Sequence, residues 1–195
     1  MAELMNRATE RNVDPGLAVR AWSGWDSASR DFASQNLAVE AKTTRSPSRN
    51  HWVHPIYQLL PADGTTERVY VYSVGISVDQ SRPFRLLTMI DRVLAQVTGE
   101  DRRLLIDRLG QYCGVGFDES HRGQYELEPG FYTSQRPALI RVDYVNDILR
   151  PESFVDGNIP ARISDLRYAV TLDGLPAASA EERQQVLDEL LQVKP

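Results

Sequence analysis

The chain has 195 residues, 42% of them apolar and 25% charged, with a formal net charge of −5. That length and balance describe one folded domain with a sizeable core, and they exclude a disordered or low-complexity chain. The single cysteine, Cys113, excludes an internal disulfide and any multi-cysteine zinc site, and the acidic balance argues against a passive, charge-driven nucleic-acid binder.

The N-terminus, Met1-Ala2-Glu3-Leu4-Met5-Asn6-Arg7, lacks the basic start and apolar stretch of a signal peptide. No apolar run approaches the roughly 18–20 residues that span a membrane, so no membrane association and a reducing, cytoplasmic setting are expected. Residues Ala2 to Arg11 read as a short helix that Asp14-Pro15-Gly16 ends, and Leu17 to Trp22 reads as a strand. Ser29 to Thr44 reads as a hairpin, followed by the polar loop Arg45-Ser46-Pro47-Ser48-Arg49-Asn50. His51 to Leu60 is expected as a strand and a turn, and Val69 to Val78, rich in β-branched and aromatic residues, as the clearest strand.

Two amphipathic helices follow, from Phe84 to Thr98 and from Asp101 to Cys113. Gln124 to Val145 and Arg162 to Leu172 return to strand composition. Ser179, with Glu182 three residues on, forms the capping-box pattern of a last helix. The expected architecture is a single α/β domain over 1–195. A core of about 1–113 holds a helix, an antiparallel meander and covering helices, and a β-rich extension with a terminal helix takes up about 114–195.

The candidate chemistry lies in the hairpin. Only two of the twenty-two cationic residues are lysine, Lys42 and Lys194, and a lysine amine, unlike a guanidinium, can be tuned by burial and neighbours. With Gln35-Asn36 as the two-residue loop, Phe32 faces Val39, Ala33 faces Ala38, and Asp31 falls opposite Glu40. Lys42 points the same way as Glu40. One face then carries Asp31, Ala33, Ala38, Glu40 and Lys42, and the other carries the core residues Phe32, Leu37, Val39 and Ala41.

Two carboxylates forced together repel unless a cation sits between them. Mg²⁺ suits such a pair, because it takes oxygen ligands, needs one or two carboxylates and keeps waters. With a lysine beside it to position water or stabilise charge, the chemistry implied is phosphodiester hydrolysis. Most Glu-x-Lys triplets, by contrast, are solvated strand faces with a weak ion pair.

The ordered set Ala2-Glu3-Leu4, Ala21-Trp22-Ser23-Gly24, Asp31-Phe32, Val39-Glu40-Ala41-Lys42-Thr43-Thr44 and Gln58-Leu59 resembles the PD-(D/E)XK nuclease superfamily, and is most similar to a bacterial family of PD-(D/E)XK motif proteins. The resemblance covers roughly residues 1 to 175 and implies a restriction-endonuclease-like fold. It also implies a Mg²⁺- or Mn²⁺-dependent DNA endonuclease linked to restriction-modification or phage defence. In that reading Asp31 and Glu40 are metal ligands, the Ala41 carbonyl completes the site, and Lys42 assists the nucleophile. Glu3 matches a helix glutamate that contributes to metal binding in parts of the superfamily, and Gln58 matches a glutamine that touches substrate or water. Arg30 stands where the superfamily name has proline. The family's typical chain has a region before the first helix, and with Glu3 in the first turn this sequence reads as a shortened or separately started version.

Arg45 and Arg49 are candidate DNA-phosphate contacts, with a solvated loop as the equal alternative. His51 and His54 are expected on opposite sides of a strand, Trp22 and Trp25 in the core or its rim, and Cys113 as a buried small residue. Asp63, Asp79, Asp91 and Asp143 are expected in surface or turn roles. DNA is the expected partner, with a homodimer or a partner subunit of a defence system beside it. The rival to an endonuclease is a catalytically silent binding or assembly subunit that keeps the fold, a reading the acidic charge favours. A phosphatase or small-molecule hydrolase ranks below both.

Overall fold

The computed structural model describes residues 1–24, 30–62, 64–79, 85–113, 130–145, 148–150, 153–154, 160, 162–163 and 165–192. Trp25, Asp63, Phe84, Lys194, the 124–129 stretch and the Cys113 side chain lie outside that description.

The chain opens with helix α1 (Ala2–Glu10), which buries Leu4, Met5 and Ala8 on one face. The next segment corrects a sequence expectation, because Gly16–Ala21 is helix α2, not a strand. A six-residue apolar run carries no decisive period, so its ends decide. The Asp14 carboxylate accepts the Gly16 N–H at 2.9 Å, Pro15 stands at the N-cap, and Arg20 reaches back to Asp14 at 2.6 Å. These are helix-start features. Only Trp22 keeps extended geometry, bridging antiparallel to Phe32.

Strands β1 (Phe32–Ala33) and β2 (Leu37–Thr44) form the expected hairpin, with Phe32 paired to Val39 and Ala33 to Ala38. The Ser34 N–H closes the turn on the Leu37 carbonyl at 2.8 Å. After β3 (Asn50–Val53) and a 3-10 helix at Ile56–Leu59, the long β4 (Arg68–Val78) returns to lie beside β2. That pairing is parallel, with Glu40 beside Val71 and Lys42 beside Ser73, so the expected antiparallel meander is interrupted there by a crossover. Helices α3 (Leu86–Leu94) and α4 (Gly99–Cys113) follow, and then β5 (Phe131–Arg141) pairs antiparallel with β4. The four-stranded sheet has the order β1-β2-β4-β5. Strand β6 (Tyr168–Thr171) pairs with β3 as a second, two-stranded sheet. Helix α5 (Ala180–Leu190) starts at Ser179, whose hydroxyl accepts the Glu182 N–H at 3.1 Å as the capping pattern required.

Strand alternation divides the main sheet into two buried faces. On one, Leu37, Val39 and Tyr70 pack under the helices with Leu4, Met5, Leu105 and Leu190. On the other, Val69, Val71 and Ile140 pack against Val53, Leu59 and Leu172, which belong to the smaller sheet and its flanks. Glu40 and Lys42 alternate with Val39 and therefore share this second face. Among the described residues, no helix is long and apolar enough to cross a membrane.

Candidate active site

The hairpin register places Asp31, the residue just before β1, across from Glu40. Both belong to a break in the β1–β2 ladder. The same register would pair Arg30 with Ala41, but the Arg30 carbonyl instead accepts the Ser23 hydroxyl at 2.9 Å. The Ala41 N–H consequently has no strand partner, and the Asp31 Oδ2 accepts it at 2.7 Å. A residue in a strand directs its N–H and C=O to the same side, so the Ala41 carbonyl also points to the edge where Asp31 stands.

Glu40 is 5% exposed. Its Oε1 accepts the Gln58 Nε2 at 2.7 Å and lies 2.9 Å from the Lys42 Nζ. The Lys42 Nζ donates in turn to the Gln58 Oε1 at 2.7 Å, so the three side chains close a triangle. Burial, and after it the charge of Asp31, pushes the Glu40 carboxyl up to about 7, with Lys42 and Arg30 opposing. Among the described residues, Asp31 Oδ1 and Glu40 Oε2 are left without a hydrogen bond.

This donor set fits a hard divalent cation. It offers two adjacent carboxylates with free oxygens and a backbone carbonyl at the same edge, and the repulsion that raises Glu40 is what a cation would relieve. It does not suit a metal held wholly by protein. Among the described residues, no group of three or more His, Cys, Asp or Glu could hold a metal ion.

Glu3 lines a cavity of about 250 Å³ with Ala41, Lys42, Tyr72 and Arg183 in its wall. Its carboxylate lies 2.5 Å from Arg183. Arg45 is exposed. The Arg49 guanidinium is tied inward, to the Ser73 carbonyl at 3.1 Å, the Ser73 hydroxyl at 2.9 Å and the Arg136 carbonyl at 2.6 Å. His51 and His54 do take opposite sides. His51 is buried with its Nε2 2.8 Å from the Ser73 Oγ, whereas His54 is exposed and 2.6 Å from Asp165. Trp22 packs in the helix-side core. Asp143 accepts the Val69 N–H at 3.1 Å and pairs with Arg141 at 2.9 Å.

Two residues around the site carried no role in the sequence reading. Gly24 lies so close to Asp31 that a Cβ on it would meet the Asp31 Oδ1 at 2.3 Å, and its N–H and that of Ser23 both donate to the Asp31 carbonyl, at 3.2 and 2.8 Å. The Ser-Gly pair a few residues before an acidic strand start was the available signal. Arg30 buries its guanidinium against the carbonyls of the turn that holds Gln58. An arginine beside the key aspartate hinted at it, but its long-range target could not be read from the sequence.

A family model described as "Putative PD-(D/E)XK family member, (DUF4420)" matches residues 2–173. The chain belongs to that family. No curated protein and no solved structure matches it.

Proposed function

We propose that this member of the DUF4420 family is a divalent-metal-dependent DNA endonuclease, acting in the cytoplasm in restriction-modification or phage defence. The family and its restriction-endonuclease-like fold make a nuclease-type activity the starting point. The observation that carries the reading is the triangle of Glu40, Lys42 and Gln58, closed by contacts of 2.7–2.9 Å, beside the broken edge of β2 where the Asp31 carboxylate accepts the Ala41 N–H at 2.7 Å.

Family members typically use divalent metals, and Asp31, Glu40 and the Ala41 carbonyl are the groups that would hold Mg²⁺ or Mn²⁺ here. Such an ion neutralises phosphate charge and lowers the pKa of a bound water. The protein's own contribution is positional. An ammonium has three donors, and Lys42 directs one to Glu40 and one to Gln58. The third is left for a phosphate oxygen or an attacking water. Gln58 holds Lys42 through Oε1 and Glu40 through Nε2, which fixes the amine relative to the carboxylate. Exposed Arg45, on the loop after Lys42, supplies a phosphate contact. Cutting both DNA strands calls for a homodimer or a partner subunit.

The test is cleavage of plasmid and linear DNA with Mg²⁺ or Mn²⁺. The wild type is expected to cut, and Asp31→Ala, Glu40→Ala and Lys42→Ala each to abolish cutting. Equal activity in all three variants would overturn the assignment. An inert wild type that binds neither cation would favour the silent assembly subunit.

A further inference from the structure

We propose that Arg30 is a positioning residue that sets Gln58 against Glu40 and Lys42. Its side chain is only 10% exposed. The guanidinium donates to the Tyr57 carbonyl at 3.2 Å, to the Gln58 carbonyl at 2.6 Å and to the Leu60 carbonyl, with Glu67 at 3.7 Å. These acceptors lie on and just after the Ile56–Leu59 turn. One turn of 3-10 helix supplies little rigidity of its own. Within it, the Gln58 N–H reaches Pro55 at 2.9 Å and the Leu60 N–H reaches Tyr57 at 3.1 Å, so neither bond engages the Gln58 carbonyl. Buried carbonyls need donors, and a planar fork can serve several where an ammonium cannot hold the same spread.

Arg30 therefore does more than fill space. It is chain neighbour to Asp31, and it grips the backbone of the residue whose side chain bridges Glu40 and Lys42. One side chain thus fixes the distance between the Asp31 end of β1 and the Gln58 turn. Neither segment pairs with the other in a sheet. The catalytic meaning of this link rests on the nuclease reading above, whereas the placement of Lys42 by it does not.

The near-absence of lysine makes the test direct. Protein grown with isotope-labelled lysine carries just two labelled side chains, Lys42 and Lys194, and Lys42→Arg assigns the signals. In Arg30→Ala with a native circular dichroism spectrum, the Lys42 ε-methylene signal is expected to move toward the free-lysine position. Millimolar guanidinium should return it, and an equal concentration of sodium should not. A native Lys42 signal in folded Arg30→Ala would overturn the proposal. If Arg30→Ala does not fold, Arg30→Gln, which adds no lysine, is read in its place: a displaced signal supports the link and an unchanged one overturns it.

Where the wild type cleaves DNA, Arg30→Ala should lose about 10²-fold in kcat, the scale of a misplaced catalytic group, with KM for DNA within about two-fold. A wild type that does not cleave, but whose Lys42 signal responds as described, removes the nuclease reading and leaves the positioning role intact.

Discussion

Replacing Glu40 with glutamine should stabilise the protein when no divalent cation is present. The carboxyl is 5% exposed, and burial together with Asp31 raises it from 4.5 to about 7. A raised acid is a stability cost in the charged form. Above both values Glu40 is ionised in folded and unfolded chains alike, and the folded state bears the whole penalty. Below about 4.5 it is neutral in both and the penalty is gone, so its contribution worsens as pH rises from about 4.5 to about 7. The size of the shift corresponds to about 3 kcal/mol. Glutamine is neutral at every pH and still offers Gln58 and Lys42 a carbonyl oxygen. At pH near 8 with chelator, Glu40→Gln should gain up to about 3 kcal/mol in urea denaturation, or several degrees in Tm for a chain of this length. At pH near 4.5 the two proteins should coincide. A glutamine variant that is no more stable than wild type at the higher pH would mean that the Lys42 contact at 2.9 Å fully offsets the burial of the charge, and the reasoning would fail.

Gly24→Ala forces a Cβ to 2.3 Å from the Asp31 Oδ1, so calorimetric Mn²⁺ binding should be lost while circular dichroism stays native; wild-type affinity would show that Asp31 does not bind the ion from its present position. Asp188 accepts from Arg7 at 2.7 and 2.9 Å and from Arg11 at 2.9 Å, fastening α5 to α1. Hydrogen bonding from Arg7 holds its carboxyl below the usual range, so this stabilisation is present above the unfolded value near 3.8 and is lost as pH falls through the lower folded one. Asp188→Asn should cost about 1–3 kcal/mol at neutral pH by urea denaturation, with the gap to wild type narrowing below about pH 4; a gap that stays constant into acid would refute it.

What could be read from the sequence was what neighbours along the chain decide. Phe32, Leu37 and Val39 alternate with Ala33, Ala38 and Glu40, and a hairpin has only one register that puts the apolar set on one side. The observed pairs, Phe32 with Val39 and Ala33 with Ala38, follow from that constraint. Ser179 capping Glu182 is equally local. The helix at Gly16–Ala21 was misread because Asp14-Pro15-Gly16 can end one helix or begin the next, and only the reach of Arg20 to Asp14 and Asp101 selects the second. The parallel β2–β4 pairing depends on partners some thirty residues apart, about which local composition is silent. Gln58 came from family resemblance alone, and nothing local places its amide between Glu40 and Lys42.

The site also shows why the alternation argument, though right about register, could not reach the chemistry. It took Asp31 and Glu40 as directly opposed residues of a continuing ladder, with their side chains on one face. The ladder stops at Phe32. The Ser23 hydroxyl holds the carbonyl of Arg30, the residue that would have paired with Ala41, and Arg30 turns its guanidinium to the Gln58 turn. Ala41 is left with an N–H that Asp31 satisfies by side chain, where β2 has lost its β1 neighbour. An unbroken β1 would have covered that edge and the Ala41 carbonyl with it. The opening of the site is thus produced by the residues just before β1, Ser23, Gly24 and Arg30, as much as by the acidic and basic side chains that the strand displays.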